Sequence, residues 1–330
     1  MNTHRHPGSR NMPKDLVIGE PQIFEDPEFT DGEASLSEAE VAYFKEHGFL
    51  VKRGLLDEGE TFERIVDYVW ENVPRGLFQR DDPNTWFDAT GDKWTDEDAE
   101  ALGPNKNGGW RMRSPDGIGT EPFFVDKIGN HPRMRQVVSG FVGSPVKRLQ
   151  RVRGVYTKFP PSPDVEDGLA PHTDHTAAQL AAMVFVDEVP PQCGGFTIWP
   201  GSHRLLHPHW DTVQGTSIGE DRVDGFCEAR DAALREIVPL EFPGNAGDVV
   251  FWHPRLLHST GMNLSARLGR PIVRLIVPCD YQLDGGTWFE DPDFGPGRDR
   301  QWWIDTRNFR EDAPATPGNL WDGWAFETGL

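Results

Sequence analysis

Hydrophobic residues recur at helical spacing in two segments near the start of the chain. In the first, Ser37 and Glu40 have the spacing of a capping box, apolar side chains share one face, and Gly48 stands where a helix would stop. In the second, residues 60–72, apolar residues recur every three or four positions. The pattern predicts two helices, the first of which runs into a strand.

Further along the chain, the hydrophobic positions gather in short runs rich in β-branched and aromatic residues, separated by turn clusters. Five such runs predict strands, at residues 152–158, 181–186, 195–199, 248–252 and 272–277. The 35 glycines and 28 prolines favour many turns over long helices. The sequence therefore predicts a mainly β fold with flanking helices, whose strand spacing is typical of a double-sheet barrel.

The segments outside these runs predict the organisation of the chain. Residues 1–34 should form an extended or partly disordered arm without chemistry. Residues 35–330 should form a single domain, with insert loops at about 78–130 that could contact substrate, and a C-terminal wrap at about 285–330. The wrap is rich in tryptophans that need a surface to pack against: Trp288, Trp302, Trp303, Trp321 and Trp324.

Charge and composition exclude several classes of partner. The formal net charge of -20 would repel nucleic acid and anionic membrane surfaces. No run approaches the ~20 consecutive apolar residues of a membrane span, and the first residues lack the apolar core of a signal peptide. The three cysteines, Cys193, Cys227 and Cys279, have no paired spacing, which indicates a reducing compartment. We expect a cytoplasmic protein that acts on a small molecule.

Two separated motifs predict a metal site. His172 and Asp174 are two residues apart, so in an extended backbone their side chains leave the same face and can converge on one ion. A β-rich segment, GDVVFWHPRLLHSTGMNLS, leads to His258 as a third ligand. Two imidazoles and one carboxylate on one face of an octahedron leave positions for a bidentate keto acid and dioxygen, the arrangement of non-haem Fe(II) oxygenases.

Other histidines compete for the role of ligand. A His next to an Asp is more often a hydrogen-bonded pair than a metal site. The main rival is His253, five positions before His258, which we expect at a strand end facing away from the metal because Pro254 follows it. The remaining histidines near these motifs should be loop residues or residues that orient the ligands: His175, His203, His207 and His209.

The chain resembles the phytanoyl-CoA dioxygenase family of Fe(II)- and 2-oxoglutarate-dependent oxygenases. Four stretches carry the resemblance, in the family's order between about residues 35 and 277: LSEAEVAYFKEHGFLVKRGLL, APHTDH, GGFTIWPGSH and GDVVFWHPRLLHSTGMNLS. The resemblance implies a double-stranded β-helix (a jelly-roll, cupin-like barrel) that binds Fe(II), with 2-oxoglutarate and dioxygen as co-substrates. It further implies oxidation, most simply hydroxylation, of an unactivated carbon, with release of succinate.

The resemblance also implies residues that hold 2-oxoglutarate. The family places an Arg about eleven residues after the distal His, where it pairs with the far carboxylate. No Arg has that spacing here, so we predict Arg270 with a one-residue insertion, and Arg267 is the alternative. Arg274 has the same strand parity and could support Arg270. Thr260 holds the place of a hydroxyl that contacts the co-substrate, and Tyr156 or Lys158 could add a donor.

The substrate is the least determined part of the prediction. Trp110, Arg113 and Gln179 are candidate substrate contacts, because they lie in loops or shortly after the His172 motif. No catalytic residue is predicted beyond the metal ligands. Two alternatives remain open: a cupin-like isomerase or hydrolase with another metal, and a barrel that binds metal without catalysis.

Overall fold

The computed structural model describes residues 16–73, 78–87, 118–173, 178–209, 225–284 and 315–329, together with the backbone of 112–113. Its helices are α1 (Glu38–His47), α2 (Gly59–Asn72), α3 (Pro122–Phe124, continued by a π turn at Val125–Gly129), α4 (Pro132–Val142), α5 (Ser202–Leu206) and α6 (Phe226–Glu236). Short 3-10 turns lie at Pro83–Thr85 and His207–His209.

In the described ranges, ten strands form two sheets. They are β1 (Gln22–Ile23), β2 (Phe49–Lys52), β3 (Met112–Arg113), β4 (Gly154–Lys158), β5 (Leu180–Phe185), β6 (Phe196–Ile198), β7 (Leu240–Phe242), β8 (Val249–Trp252), β9 (His258–Thr260) and β10 (Arg274–Tyr281). The larger sheet has the order β2-β8-β5-β10-β4-β3, and the smaller sheet has the order β1-β7-β6-β9. All pairings are antiparallel except the parallel pairing of β1 with β7.

The larger sheet is covered by apolar side chains on both faces. On its outer face, Val184, Phe251 and Val277 pack with residues of α1, α2 and α4. On its inner face, Met183, Trp252 and other side chains pack with apolar residues of the smaller sheet. This alternation follows the two-residue period of a strand. The inner layer between the two sheets is where a site can be enclosed.

The predicted secondary structure agrees with the structure in most elements. All five predicted strands are present, with each bound within four residues of the expected one, and both predicted helices form. The capping box of Ser37 and Glu40 is complete, and Gly48 ends α1 in the left-handed conformation. Helices α3, α4, α5 and α6 and strands β1, β3, β7 and β9 were not predicted. Among the described strands the two sheets share no member, so the closed barrel is not seen directly.

The described parts of both terminal segments lie against the domain. In the predicted N-terminal arm, β1 joins the smaller sheet and Phe24 is buried in the inner layer. In the predicted C-terminal wrap, Trp321 and Trp324 pack beside Phe44 of α1. These two tryptophans therefore have the packing surface that the sequence led us to expect, and the other three lie outside the described residues.

Candidate metal centre and co-substrate pocket

The imidazole of His258 lies in the inner layer between the two sheets. His258 begins β9 and pairs with Ile198 of β6, whose side chain belongs to that layer. The residue is 4% exposed, and its ring lies 5.4 Å from that of Phe196 and 5.7 Å from that of Trp252, measured between centroids. The β9 strand thus directs this side chain inward, as a metal ligand requires.

A two-residue bridge brings His172 beside His258. Each backbone N–H donates to the other residue's carbonyl oxygen at 2.9 Å, so His172 extends the edge of the smaller sheet beyond β9. The two imidazole rings lie 4.5 Å apart between centroids. Residues separated by 86 positions in the chain are therefore neighbours in the fold, as the metal-site prediction requires.

Hydrogen bonds orient both imidazoles in the same way. Nδ1 of His172 donates to the carbonyl oxygen of Ala170 at 2.8 Å, and Nδ1 of His258 donates to that of Leu256 at 2.9 Å. A backbone acceptor on Nδ1 selects the tautomer in which Nε2 carries the lone pair that binds a metal. Both rings are thus oriented in the way that the prediction of two histidine ligands requires.

The third predicted ligand, Asp174, lies outside the described residues. Within the described part of the chain, no group of three or more His, Cys, Asp or Glu side chains is arranged to hold a metal. The carboxylate ligand therefore stays a prediction from the two-residue spacing after His172.

His253 lies in a different environment from the two paired histidines. It is fully buried, and its ring stacks on Trp324 at 5.4 Å and lies 5.5 Å from that of His203. Burial lowers the pKa of His253 well below its usual value. Its position against the C-terminal segment agrees with the expectation that it faces away from the predicted metal site.

Arg274 and Lys158 lie at one end of the inner layer. They are direct partners across β10 and β4. Ile276 and Tyr156, two residues from each, pack in the inner layer, so Arg274 and Lys158 point to the same face. Arg274 is 2% exposed and donates from Nη1 to the carbonyl oxygen of Tyr156 at 3.2 Å. A buried guanidinium on this face is a strong candidate for binding a carboxylate.

Thr260 connects this end of the layer with the paired histidines. It pairs with Phe196 and lies two residues after His258, so both side chains leave β9 on the same face. Its side chain is half-buried. The contact of the Thr260 hydroxyl with a co-substrate stays a prediction.

The two arginines proposed from the sequence as carboxylate anchors are both exposed, and their contact with a co-substrate stays a prediction. Arg270 was predicted to begin the last strand, but β10 begins at Arg274, and Arg270 is an exposed residue of the preceding turn. Arg270 lies near Cys193: burial raises the pKa of the Cys193 thiol, and the positive charge of the Arg270 guanidinium opposes that rise. Arg267 is also exposed and donates to the carbonyl oxygens of Pro163 and Val165.

The three candidate substrate contacts have different outcomes. The side-chain amide of Gln179, which is 1% exposed, donates to the carbonyl oxygen of Gly323 at 2.8 Å and so binds the C-terminal segment. The backbone of Arg113 pairs opposite Gly154 at the sheet edge. Trp110 lies outside the described residues. Their contact with substrate stays a prediction.

A buried ion pair lies at the other end of β10. Asp280 shares the inner face with Ile276, and its carboxylate accepts from Nε of Arg153 at 2.6 Å and from Nη2 of the same residue. Asp280 pairs with Ala181, which in turn pairs with Trp252 beside His258. The pair therefore lies in the same cross-strand row as Trp252, and Arg274 lies toward the opposite end of β10. The sequence contained no signal for this pairing.

Comparison with known proteins places these residues within a family match. The family model described as "Phytanoyl-CoA dioxygenase (PhyH)" matches residues 44–272. This range includes both paired histidines and Asp174. No curated protein shows significant similarity to the chain over its sequence.

Several solved structures resemble the chain. EctD from S. alaskensis with 2-oxoglutarate and 5-hydroxyectoine is 16% identical, with a TM-score of 0.49, over 92% of this chain and 95% of that one. The carbocyclase SnoK from nogalamycin biosynthesis is 19% identical, with a TM-score of 0.46, over 84% and 92%. HygX from Streptomyces hygroscopicus with nickel and 2-oxoglutarate is 15% identical, with a TM-score of 0.46, over 78% and 91%. These values are too low to carry a substrate or reaction across to this chain.

Two further findings concern the surroundings of the protein. None of the helices in the described ranges is long and apolar enough to cross a membrane. Cys193, Cys227 and Cys279 are all free thiols.

Proposed function

The chain belongs to the phytanoyl-CoA dioxygenase family, and from this premise we propose that it hydroxylates an unactivated carbon of a small-molecule metabolite. Members of this family are non-haem iron enzymes that consume 2-oxoglutarate and dioxygen. The two sheets are in keeping with the double-stranded β-helix predicted from the sequence. The free thiols agree with a reducing, cytoplasmic setting.

The pairing of His172 with His258 is the observation that carries this proposal. Both rings lie in or at the edge of the inner layer, and both donate Nδ1–H to a backbone carbonyl, so each can offer Nε2 to one Fe(II) ion. Asp174 would supply the carboxylate, which completes the ligand set of non-haem Fe(II) oxygenases. Bound iron, with 2-oxoglutarate and dioxygen, would supply the oxidising power while 2-oxoglutarate is converted to succinate.

The protein's own contribution is to bind, orient and exclude water. We propose that Arg274, rather than Arg270, pairs with the far carboxylate of 2-oxoglutarate, with Lys158 and Thr260 as further donors. The burial of Arg274 on the inner face supports this assignment. Tyr156 lines the same layer and would contact the co-substrate through packing. The aromatic surroundings of His258 would keep bulk water from the reacting centre.

The substrate would enter from the side opposite Arg274. The Arg153 and Asp280 ion pair lies on that side and offers polar contacts to a small molecule. The net charge of -20 disfavours a polyanionic substrate such as an acyl-CoA, and a small natural product or an amino-acid-like metabolite fits better.

An anaerobic titration tests the proposal. Protein with Fe(II) should develop a visible charge-transfer band on addition of 2-oxoglutarate, and with oxygen it should release succinate. His172→Ala and His258→Ala should abolish both signals, while the matched control His209→Gln should keep them. A wild-type protein without band and without succinate would favour a metal-dependent isomerase or hydrolase, or a non-catalytic metal-binding protein, and would overturn the proposal.

The choice of arginine has its own matched test. Arg274→Ala should raise the Michaelis constant for 2-oxoglutarate by at least about 100-fold, because a charge-assisted contact with a buried carboxylate contributes about 3 kcal/mol. Arg270→Ala, four residues away in the chain, should leave that constant within about twofold. The reverse outcome would restore Arg270 as the anchor.

A further inference from the structure

A carboxylate from the chain itself lies at the cationic end of the inner layer. Asp167 accepts from Nζ of Lys158, with both carboxylate oxygens 2.9 Å from that nitrogen. The two side chains are largely shielded from solvent, at 16% and 13% exposure. Such a pair is screened less by water and salt than a surface ion pair. The negative charge of the Asp167 carboxylate therefore acts on any group that binds beside the pair.

Hydrogen bonds hold the Asp167 carboxylate in this position. Oδ1 accepts from the backbone N–H of Gly168 at 2.9 Å, and Oδ2 accepts from that of Asn263 at 2.8 Å. The Asn263 side chain in turn donates to the carbonyl oxygen of Lys158 at 2.9 Å. The segment of residues 159–171 is also tied to β9, because the backbone N–H of Ala170 donates to Oγ of Ser259 at 2.9 Å. These hydrogen bonds therefore fix the position of the Asp167 carboxylate.

Arg274 lies at the same end of the layer as this ion pair. It is the cross-strand partner of Lys158. A Cβ atom built on Gly194 would lie 3.3 Å from Cγ of Lys158, 3.3 Å from Cβ of Asn263 and 3.7 Å from Cβ of Arg274, so all three surround one point. Among the described residues, Lys158 with its partner Asp167 and Arg274 therefore lie at the same end of the layer.

We propose that Asp167 is a specificity-determining residue for the co-substrate, which sets this end of the pocket to accept one additional carboxylate. The inference rests on the proposed function, in which the far carboxylate of 2-oxoglutarate binds between Arg274 and Lys158. The Lys158 ammonium has three N–H donors, so it can bind Asp167 and an incoming carboxylate together. Asp167 repels that carboxylate and makes binding of 2-oxoglutarate weaker than the two cations alone would allow.

The substitution Asp167→Asn isolates this charge. The amide keeps the size of the side chain and one of its two acceptor oxygens, so it loses the hydrogen bond from either Gly168 or Asn263. The bond from Ala170 to Ser259 still ties the segment of residues 159–171 to β9. We expect the dissociation constant of 2-oxoglutarate, from the anaerobic charge-transfer band, to fall about tenfold. Asp164→Asn, which neutralises an exposed carboxylate of the same segment, is the matched control and should leave it unchanged. Asp167→Ser, which removes the same charge with a smaller side chain, should repeat the effect.

A second keto acid separates a charge effect from a structural one. 2-Oxopentanoate has the keto acid group and chain length of 2-oxoglutarate but lacks the far carboxylate, so its affinity should be the same in wild type and Asp167→Asn within about twofold. Lys158→Met should weaken binding of 2-oxoglutarate and reduce the gain from Asp167→Asn.

The outcomes separate this inference from the proposed function. If wild-type protein forms the band with 2-oxoglutarate but Asp167→Asn and Asp167→Ser bind it no more tightly, the inference alone is overturned. The same holds if both keto acids shift equally, because Asp167 would then only hold the segment in place. If wild-type protein forms no band, the proposed function fails, and this inference fails with it.

Discussion

Three buried histidines should make the protein lose stability below neutral pH. His203, His207 and His253 lie between the domain and the C-terminal segment: His203 contacts the ring of Trp321, His207 donates from Nε2 to Oδ1 of Asn319, and His253 stacks on Trp324. Burial lowers the pKa of His203 to about 3 and that of His207 to about 4, and it lowers the pKa of His253 well below its usual value.

The sign and size of the effect follow from these pKa values. Each folded-state pKa lies below the unfolded value of 6.5, so the unfolded chain takes up protons first as the pH falls. The contribution of these groups to the free energy of unfolding has its full value above pH 6.5, and it is lost as the pH falls toward their folded-state pKa values. At pH 5 the loss is about 2 kcal/mol for each of His203 and His207, or about 4 kcal/mol for these two, relative to pH 8, and His253 shifts stability in the same direction.

Urea unfolding followed by tryptophan fluorescence at pH 8 and pH 5 measures this loss. Other groups also titrate in this range, so the informative quantity is the difference between variants. His203→Gln should lose about 2 kcal/mol less than wild type between the two pH values, because the substituted side chain does not titrate. The control His209→Gln, on the neighbouring 3-10 turn, should lose as much as wild type. Equal losses in wild type and His203→Gln would refute the reasoning.

Other substitutions test the packing around the site. Gly48→Ala should lower the free energy of unfolding in urea by about 1–3 kcal/mol. Gly48 has a φ of 81°, and the new Cβ would lie 2.5 Å from Nδ1 of His203. A smaller loss would mean that the His203 ring moves aside freely. Glu40→Ala should lower the free energy of unfolding by about 3–5 kcal/mol, because the fully buried Lys52 ammonium loses its nearest carboxylate, at 2.5 Å. The double variant Glu40→Leu with Lys52→Met should recover most of this loss. No recovery would argue against the ion pair as the cause. Trp324→Ala should cost about 2 kcal/mol and speed amide exchange in residues 319–326, and unchanged exchange would show that other contacts hold that segment.

Local sequence patterns were sufficient for much of the fold. The capping box before α1, the glycine after it and the β-rich runs each reflect interactions within a few residues, so they could be read without knowing the tertiary structure. The elements that were missed have weaker local patterns. Strand β1 is two residues long and exists through its pairing with β7, and α6 follows residues that form no periodic pattern.

The same division applies to the candidate site. His172 and His258 could be predicted because each lies in a recognisable motif, and the expected pairing of their rings is present. The sequence left Arg270 and Arg267 as alternatives, and our proposal of Arg274 instead depends on where β10 begins. The prediction assumed a one-residue insertion, which would begin the strand at Arg270. The segment before β10 is longer than that, and the strand begins at Arg274.

The sequence by itself determined the strand-rich fold class and the candidate ligands and their order, and it led to the expectation that polyanionic partners are disfavoured, because motif spacing and net charge are properties of the chain. The tertiary structure decided which charged side chains face the inner layer. It buried Arg274 while leaving Arg270 exposed, and it brought Asp167 to Lys158. Contacts between segments distant in the chain depend on strand register and loop path, and neither leaves a local pattern in the residues.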